Sequence, residues 1–171
     1  MIPRIALTLV LAGILAVPVL AQTCNPHIRE TTPATQFVID VGKGTVLDTK
    51  TGLMWKRCSE GMSGTNCGAG SPQAFSWGGA LSRAASSTYA GYKDWRLPNS
   101  KELESLVEEQ CFGPAINIAV FPNTPVTYIW ASSPMVAYDW GEAWYVDFAY
   151  GHSYSVNRNF QLPVRLVRGG Q

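Results

Sequence analysis

Two stretches carry the side chains best suited to holding a ligand. The first is Tyr138-Asp139-Trp140-Gly141-Glu142; the second runs from Tyr150 through His152, Tyr154, Asn157 and Arg158 to Asn159. Both combine aromatic rings with carboxylates, amides or a guanidinium. That mixture suits sugars, which offer apolar C–H faces inside a rim of hydroxyls. Residues of this kind collect on loops held by a rigid scaffold. The two stretches flank residues 143–148, so Tyr138, Asp139, Trp140, Glu142, Tyr150, His152, Tyr154, Asn157 and Arg158 are expected to line one loop-rich end. The competing reading is packing of Trp140 and Trp144 in the core. Trp144 fits that better, being in phase with Val146 and Phe148.

Catalytic and metal chemistry find less to work with. The only histidines are His27 and His152. Gly61-Met62-Ser63-Gly64 has a superficial likeness to a nucleophile elbow, but it lies in a cysteine-bounded loop and not at a strand-to-helix turn. No glycine-rich phosphate loop or Walker lysine occurs. Asp139, Glu142 and Asp147 supply oxygens for calcium, yet their spacing matches no known loop. The expectation is a non-enzymatic chain with no catalytic residue, no resident metal and no cofactor, calcium being the one ion its side chains admit. Asp94 and Arg96, within Asp94-Trp95-Arg96-Leu97-Pro98, read as scaffold groups that pair with each other or with backbone. Arg165 and Arg168 read as strand-face ion pairs.

The compartment follows from the N-terminus and the cysteines. Arg4, an uncharged apolar run over residues 5–17 and the small residues Val19 and Ala21 form a secretory signal, with cleavage expected after Ala21. The run is short for a bilayer span. Residues 22–171 then carry twelve basic and twelve acidic side chains, since only Arg4 of the thirteen basic residues is lost. Neutrality argues against nucleic acid as a partner, and no second apolar run of spanning length argues against a membrane. Four cysteines in an oxidising compartment are expected to form two disulfides. Of the three possible connectivities, Cys58–Cys67 and Cys24–Cys111 are favoured. The first closes a loop rich in glycine and serine; the second tethers the N-terminal segment. Export places the protein in the periplasm or outside the cell.

The elements that must position these residues are short. Residues 22–36 form a polar lead-in and residues 37–171 the domain. Residues 37–41 read as a strand, and 46–48 with 53–56 as a hairpin turning through Thr49-Lys50-Thr51-Gly52. Ser76 caps a predicted helix over 77–85. Asn99 and Glu102 form a capping box for a second helix reaching about Gln110, with Leu103, Leu106 and Val107 inward and Lys101, Glu104 and Glu108 toward water. Strands follow at 128–132, 143–148 and 153–157, and residues 163–168 close the domain. Strands, two helices and more strands predict an α+β fold with antiparallel sheets, stapled by disulfides.

Seven segments in order carry a family resemblance: Asp48-Thr49-Lys50-Thr51-Gly52-Leu53-Met54-Trp55, Asp94-Trp95-Arg96-Leu97-Pro98, Lys101-Glu102-Leu103, Phe121-Pro122-Asn123-Thr124, Trp130-Ala131-Ser132-Ser133, Ala143-Trp144-Tyr145-Val146-Asp147-Phe148, and Val164-Arg165-Leu166-Val167-Arg168-Gly169-Gly170. Together they resemble the Lcl C-terminal domain family over residues 45–171. The resemblance implies a fold similar to C-type lectins and the formylglycine-generating enzymes. It also implies an adhesin-like role: the family's namesake binds sulfated glycans and assembles as a trimer. The late cysteine pair behind formylglycine chemistry is missing, since no cysteine follows Cys111. The collagen-like stalk of the namesake is missing too. The functional expectation is a secreted binding module for a glycan or surface partner. The second expectation is an accessory subunit of a bacterial envelope assembly that acts by protein–protein contact.

Overall fold

The computed structural model describes residues 21–137 and 141–169. Tyr138, Asp139 and Trp140 of the expected site lie outside the described residues. The chain enters through β1 (Thr23–Cys24) and a turn of 3-10 helix at Ala34–Gln36, then forms β2 (Phe37–Asp40). The expected hairpin is β3 (Thr45–Asp48) with β4 (Met54–Lys56). Asp48 closes its turn. This buried carboxylate accepts from the Lys50 N–H, the Thr51 hydroxyl and the Gln36 amide. Gly52 turns the corner at a φ of +74°, where a Cβ is disfavoured.

Beyond it, β5 (Met62–Ser63) and β6 (Ala69–Gly70) form a small hairpin across the Cys58–Cys67 loop. After β7 (Ala74–Phe75) comes α1 (Trp77–Ala85), whose Ser76 cap accepts from the Gly79 N–H. The helix α2 (Ser100–Glu104) starts at the full capping box of Asn99 and Glu102. The remaining strands are β8 (Cys111–Phe112), β9 (Tyr128–Pro134), β10 (Glu142–Asp147), β11 (His152–Asn157), β12 (Leu162–Pro163) and β13 (Val167–Arg168).

All strand pairing is antiparallel. One sheet runs β13-β4-β3-β2 and another β11-β10-β9, with two-stranded pairs β1-β8, β12-β7 and β5-β6. The main core draws on both larger sheets and on α2: Val46, Trp55, Leu103, Leu106, Phe121, Ile129 and Val146 are all buried there. A second cluster sets Ala80 and Ala84 of α1 against Trp95, Leu97, Trp130 and Leu166. Burying one such side chain stabilises by roughly 1.5–3 kcal/mol, so these clusters set the frame. Two disulfides complete it, Cys24–Cys111 across β1 and β8 and Cys58–Cys67 around the small hairpin.

Three features depart from expectation. First, α2 ends at Glu104 instead of near Gln110. The Ser105 hydroxyl donates to the Glu102 carbonyl, and Leu106 and Val107 bond three residues back, which tightens the chain out of the α-helix. Val107 then bridges to Ile116. Second, Glu108 is 3% exposed instead of facing water. Its carboxylate accepts from the N–H groups of Thr31, Thr32 and Gln110 and from the Thr32 hydroxyl.

Third, Arg165 makes no strand-face ion pair among the described residues. Fully buried, it donates to the carbonyls of Lys56 and Arg57 and to Thr124 Oγ1, and lies 4.8 Å over the Phe121 ring. Burial pushes its pKa down to about 9, so it keeps its charge at neutral pH. Arg168 does pair, Nε to Asp94 Oδ1 at 2.8 Å. Arg96 takes Glu102 in a two-pronged bond, both distances 2.7 Å, and donates to the Gly169 carbonyl at 2.8 Å, so it meets backbone as expected and not Asp94.

Candidate functional site

The site is built by the hairpin register. In β10 and β11, Asp147 faces His152, Tyr145 faces Tyr154 and Glu142 faces Asn157. Since side chains alternate along a strand, Tyr145, Asp147, Tyr154 and His152 share one face. Tyr128 of β9, paired with Asp147, reaches the same face and sits diagonal to Tyr145. Ring centroids lie 4.6 Å apart for Tyr128 and Tyr145, 6.2 Å for Tyr145 and Tyr154, and 6.3 Å for Tyr154 and His152. The result is a continuous stripe of four rings across three strands.

The stripe is open to solvent. Tyr154 is 53% exposed and Tyr128 43%, while Tyr145 between them is half-buried. Burial raises the pKa of the Tyr145 phenol, helped by Tyr128, Asp147 and Tyr154 nearby. The phenol therefore stays neutral and able to donate a hydrogen bond. Asp147 points Oδ1 at the Ala149 N–H, which fixes the turn that follows. On the opposite face, Val146 is buried and Trp144 partly buried against the main core, while Tyr145 itself packs at the margin of the second cluster.

Past the turn, Tyr150 and His152 border a shallow groove of about 470 Å³, shared with Phe112, Ile28 and the Cys24–Cys111 bond. Gly151 sets this corner against the core. A Cβ there meets Val107 Cγ1 at 2.7 Å, and its φ is +81°.

The remaining predicted residues sit elsewhere. Glu142 accepts from the Ser155 hydroxyl at 2.6 Å, and Arg158 Nε donates to the Glu142 carbonyl at 3.0 Å. The Arg158 guanidinium stacks on Trp77 at 4.5 Å. The expected single end is therefore two. Tyr150, His152 and Tyr154 gather on the stripe side; Glu142, Asn157 and Arg158 lie at the other end of β10, about 17 Å away for five strand steps. The same separation parts Glu142 from Asp147 as calcium oxygens. Among the described residues no three His, Cys, Asp or Glu side chains come together to hold a metal. A cleft of about 540 Å³ lies between α1 and residues 95–99 with the Arg96–Glu102 pair in its wall.

Tyr128, Tyr145 and Phe112 were not among the predicted site residues. The signal for Tyr145 lay in the alternation of residues 143–148, which placed it opposite the core-facing Trp144 and Val146.

A family model, the Lcl C-terminal domain, matches residues 44–168 and so covers every ring of the stripe. The chain belongs to the Lcl C-terminal domain family. A search of curated proteins returned no significant match. Within this Lcl C-terminal domain the match begins one residue before β3. The edge strand β2 and the segment of residues 22–32 are therefore added ahead of the family range, and both are integrated by hydrogen bonds. No helix among the described residues is long and apolar enough to cross a membrane.

Proposed function

We propose that this Lcl C-terminal domain protein is an exported, non-enzymatic binding module that recognises a glycan through the Tyr128–Tyr145–Tyr154–His152 stripe. The observation that supports it is four adjacent rings, three of them exposed and Tyr145 half-buried between them, on a sheet whose other face is locked into the core. Exposed contiguous apolar surface of this kind marks an interaction site. Sugar C–H faces stack on such rings, and the phenol hydroxyls supply hydrogen bonds along the edge. None of the four rings brings a fixed cation, and the chain without its leader is neutral. Stacking, and not sulfate pairing, is the recognition this surface favours. Two disulfides accord with export.

The test is a glycan-array screen of the oxidised, exported protein, with calcium and then with chelator. Saturable binding is expected, unchanged by chelation and weakened about tenfold or more in Tyr154→Ala and in Tyr128→Ala. Binding that both variants leave intact sinks the site assignment. A second reading has its own observation: Phe112 and Tyr150 are 51% and 66% exposed beside the groove, a patch suited to a protein partner in an envelope assembly. Crosslinking from Phe112-adjacent positions in the envelope, with no partner recovered, counts against it.

A further inference from the structure

We propose that Gln22 is the docked N-terminal residue of the mature chain, and that the fold holds it against cyclisation to pyroglutamate. The inference rests on residues 1–21 being a removed leader. An N-terminal glutamine closes when its α-amino nitrogen attacks its own Cδ. The new N–Cδ bond forms, the Cδ–Nε2 bond breaks, and ammonia leaves with the displaced nitrogen. No oxidant or other reactant is consumed. The step needs Cδ free to become tetrahedral and Nε2 free to leave its planar amide geometry.

Both freedoms are removed here. Gln22 Nε2 donates to the Pro114 carbonyl at 2.6 Å and to the Ile116 carbonyl at 2.7 Å, so both of its hydrogens are engaged. The side chain is half-buried and walls a groove of about 390 Å³ with Ile118, Pro122 and Val126. The backbone cannot drift to compensate. Two residues on, Cys24 is bonded to Cys111, and the Asn25 N–H donates to the Gln110 carbonyl. Cyclisation expels the nitrogen that makes both bonds and strips that donor from two carbonyls of buried residues. Ring closure therefore proceeds from an undocked minority. At about 1 kcal/mol net per hydrogen bond, folding slows it by roughly ten- to a hundredfold.

The experiment is intact-mass spectrometry of the exported protein, native and again unfolded and reduced, each incubated with glutaminyl cyclase in the same buffer. The exported chain is expected to begin at an open Gln22. Loss of one ammonia is expected to be at least tenfold slower in the native sample. The paired variant Cys24→Ser, Cys111→Ser is expected to cyclise faster than wild type, and is counted only where its circular dichroism matches the native fold. A native rate equal to the unfolded rate, or an exported chain already cyclised, overturns the proposal. A mass reporting a different N-terminus overturns the leader reading instead. A chain cut in vitro to begin at Gln22 then decides the docking by the same two rates.

Discussion

Glu60 and Glu108 are both buried carboxylates that tie separate segments together, and they are satisfied by opposite means. Glu60 sits between two cations, Lys56 Nζ at 2.5 Å and Arg83 at 2.7 Å, and so joins β4 to α1. Lys56 itself is buried, 4.5 Å over the Tyr89 ring. Among the described residues Glu108 accepts only from neutral donors, and it joins the N-terminal segment to the body of the domain. A charge held by charges leaves an uncompensated ion when one partner goes. A charge held by dipoles leaves only unpaired N–H groups. The first arrangement suits the scaffold that carries the stripe; the second suits a segment that fastens and releases at moderate expense.

The largest expected effect is at Glu60. Glu60→Ala strands the Lys56 ammonium under Tyr89 and is expected to destabilise by about 3–5 kcal/mol in urea unfolding. Arg83, with its head partly in water, contributes little of that loss. Glu108→Ala is expected to remove about 1–3 kcal/mol, with amide exchange accelerated first at Thr31 and Thr32. Equal losses from the two variants break the contrast.

Acid sharpens it further. Burial raises the Glu108 pKa, but the donors from Thr31, Thr32 and Gln110 outweigh it and hold the carboxyl below its ordinary value. A depressed carboxyl stabilises the fold in full above the unfolded value, about 4.3, and that contribution is lost as pH falls through the lower, folded value. Protection factors at Thr31, Thr32 and Gln110, corrected for the intrinsic pH dependence of amide exchange, are therefore expected to fall as pH drops below about 4.3. Protection that stays flat to pH 2 refutes this account. The smallest effect on stability is at the stripe: Tyr154→Ala is expected to shift unfolding by less than about 0.5 kcal/mol, because the side chain is half in solvent. A large shift there makes Tyr154 a scaffold residue and leaves the stripe without its proposed role.

Local chemistry in the sequence translated directly into structure. Thr49-Lys50-Thr51-Gly52 announced its turn, Ser76 and the Asn99–Glu102 box announced two helix starts, and alternation over residues 143–148 separated Trp144 from Tyr145. What failed depended on distant partners. Glu108 fits a helix's water face by spacing, and nothing near it in the chain reveals that Thr31 and Thr32 will cover it. Arg165 sits between apolar neighbours like any exposed strand cation, and the carbonyls that receive it are over a hundred residues away. The splitting of the site into two ends was within reach. A hairpin that turns after Asp147 must carry His152 back beside Asp147 and Asn157 back beside Glu142.

The Cys24–Cys111 bond also has a mechanical meaning. It links positions 87 residues apart, close to where the mature chain is expected to begin. A pull on the two ends passes from Cys24 straight to Cys111, and the loop between them carries no tension. Some 300 Å of extended chain is thereby withheld from stretching. The load falls on the later strands, where β13 is held by a two-residue pairing with β4 and a single bridge from Val167 to Arg96. Under force the protein should give first at its C-terminal edge and then stop short, with β2, β3 and α1 still enclosed in the covalent loop.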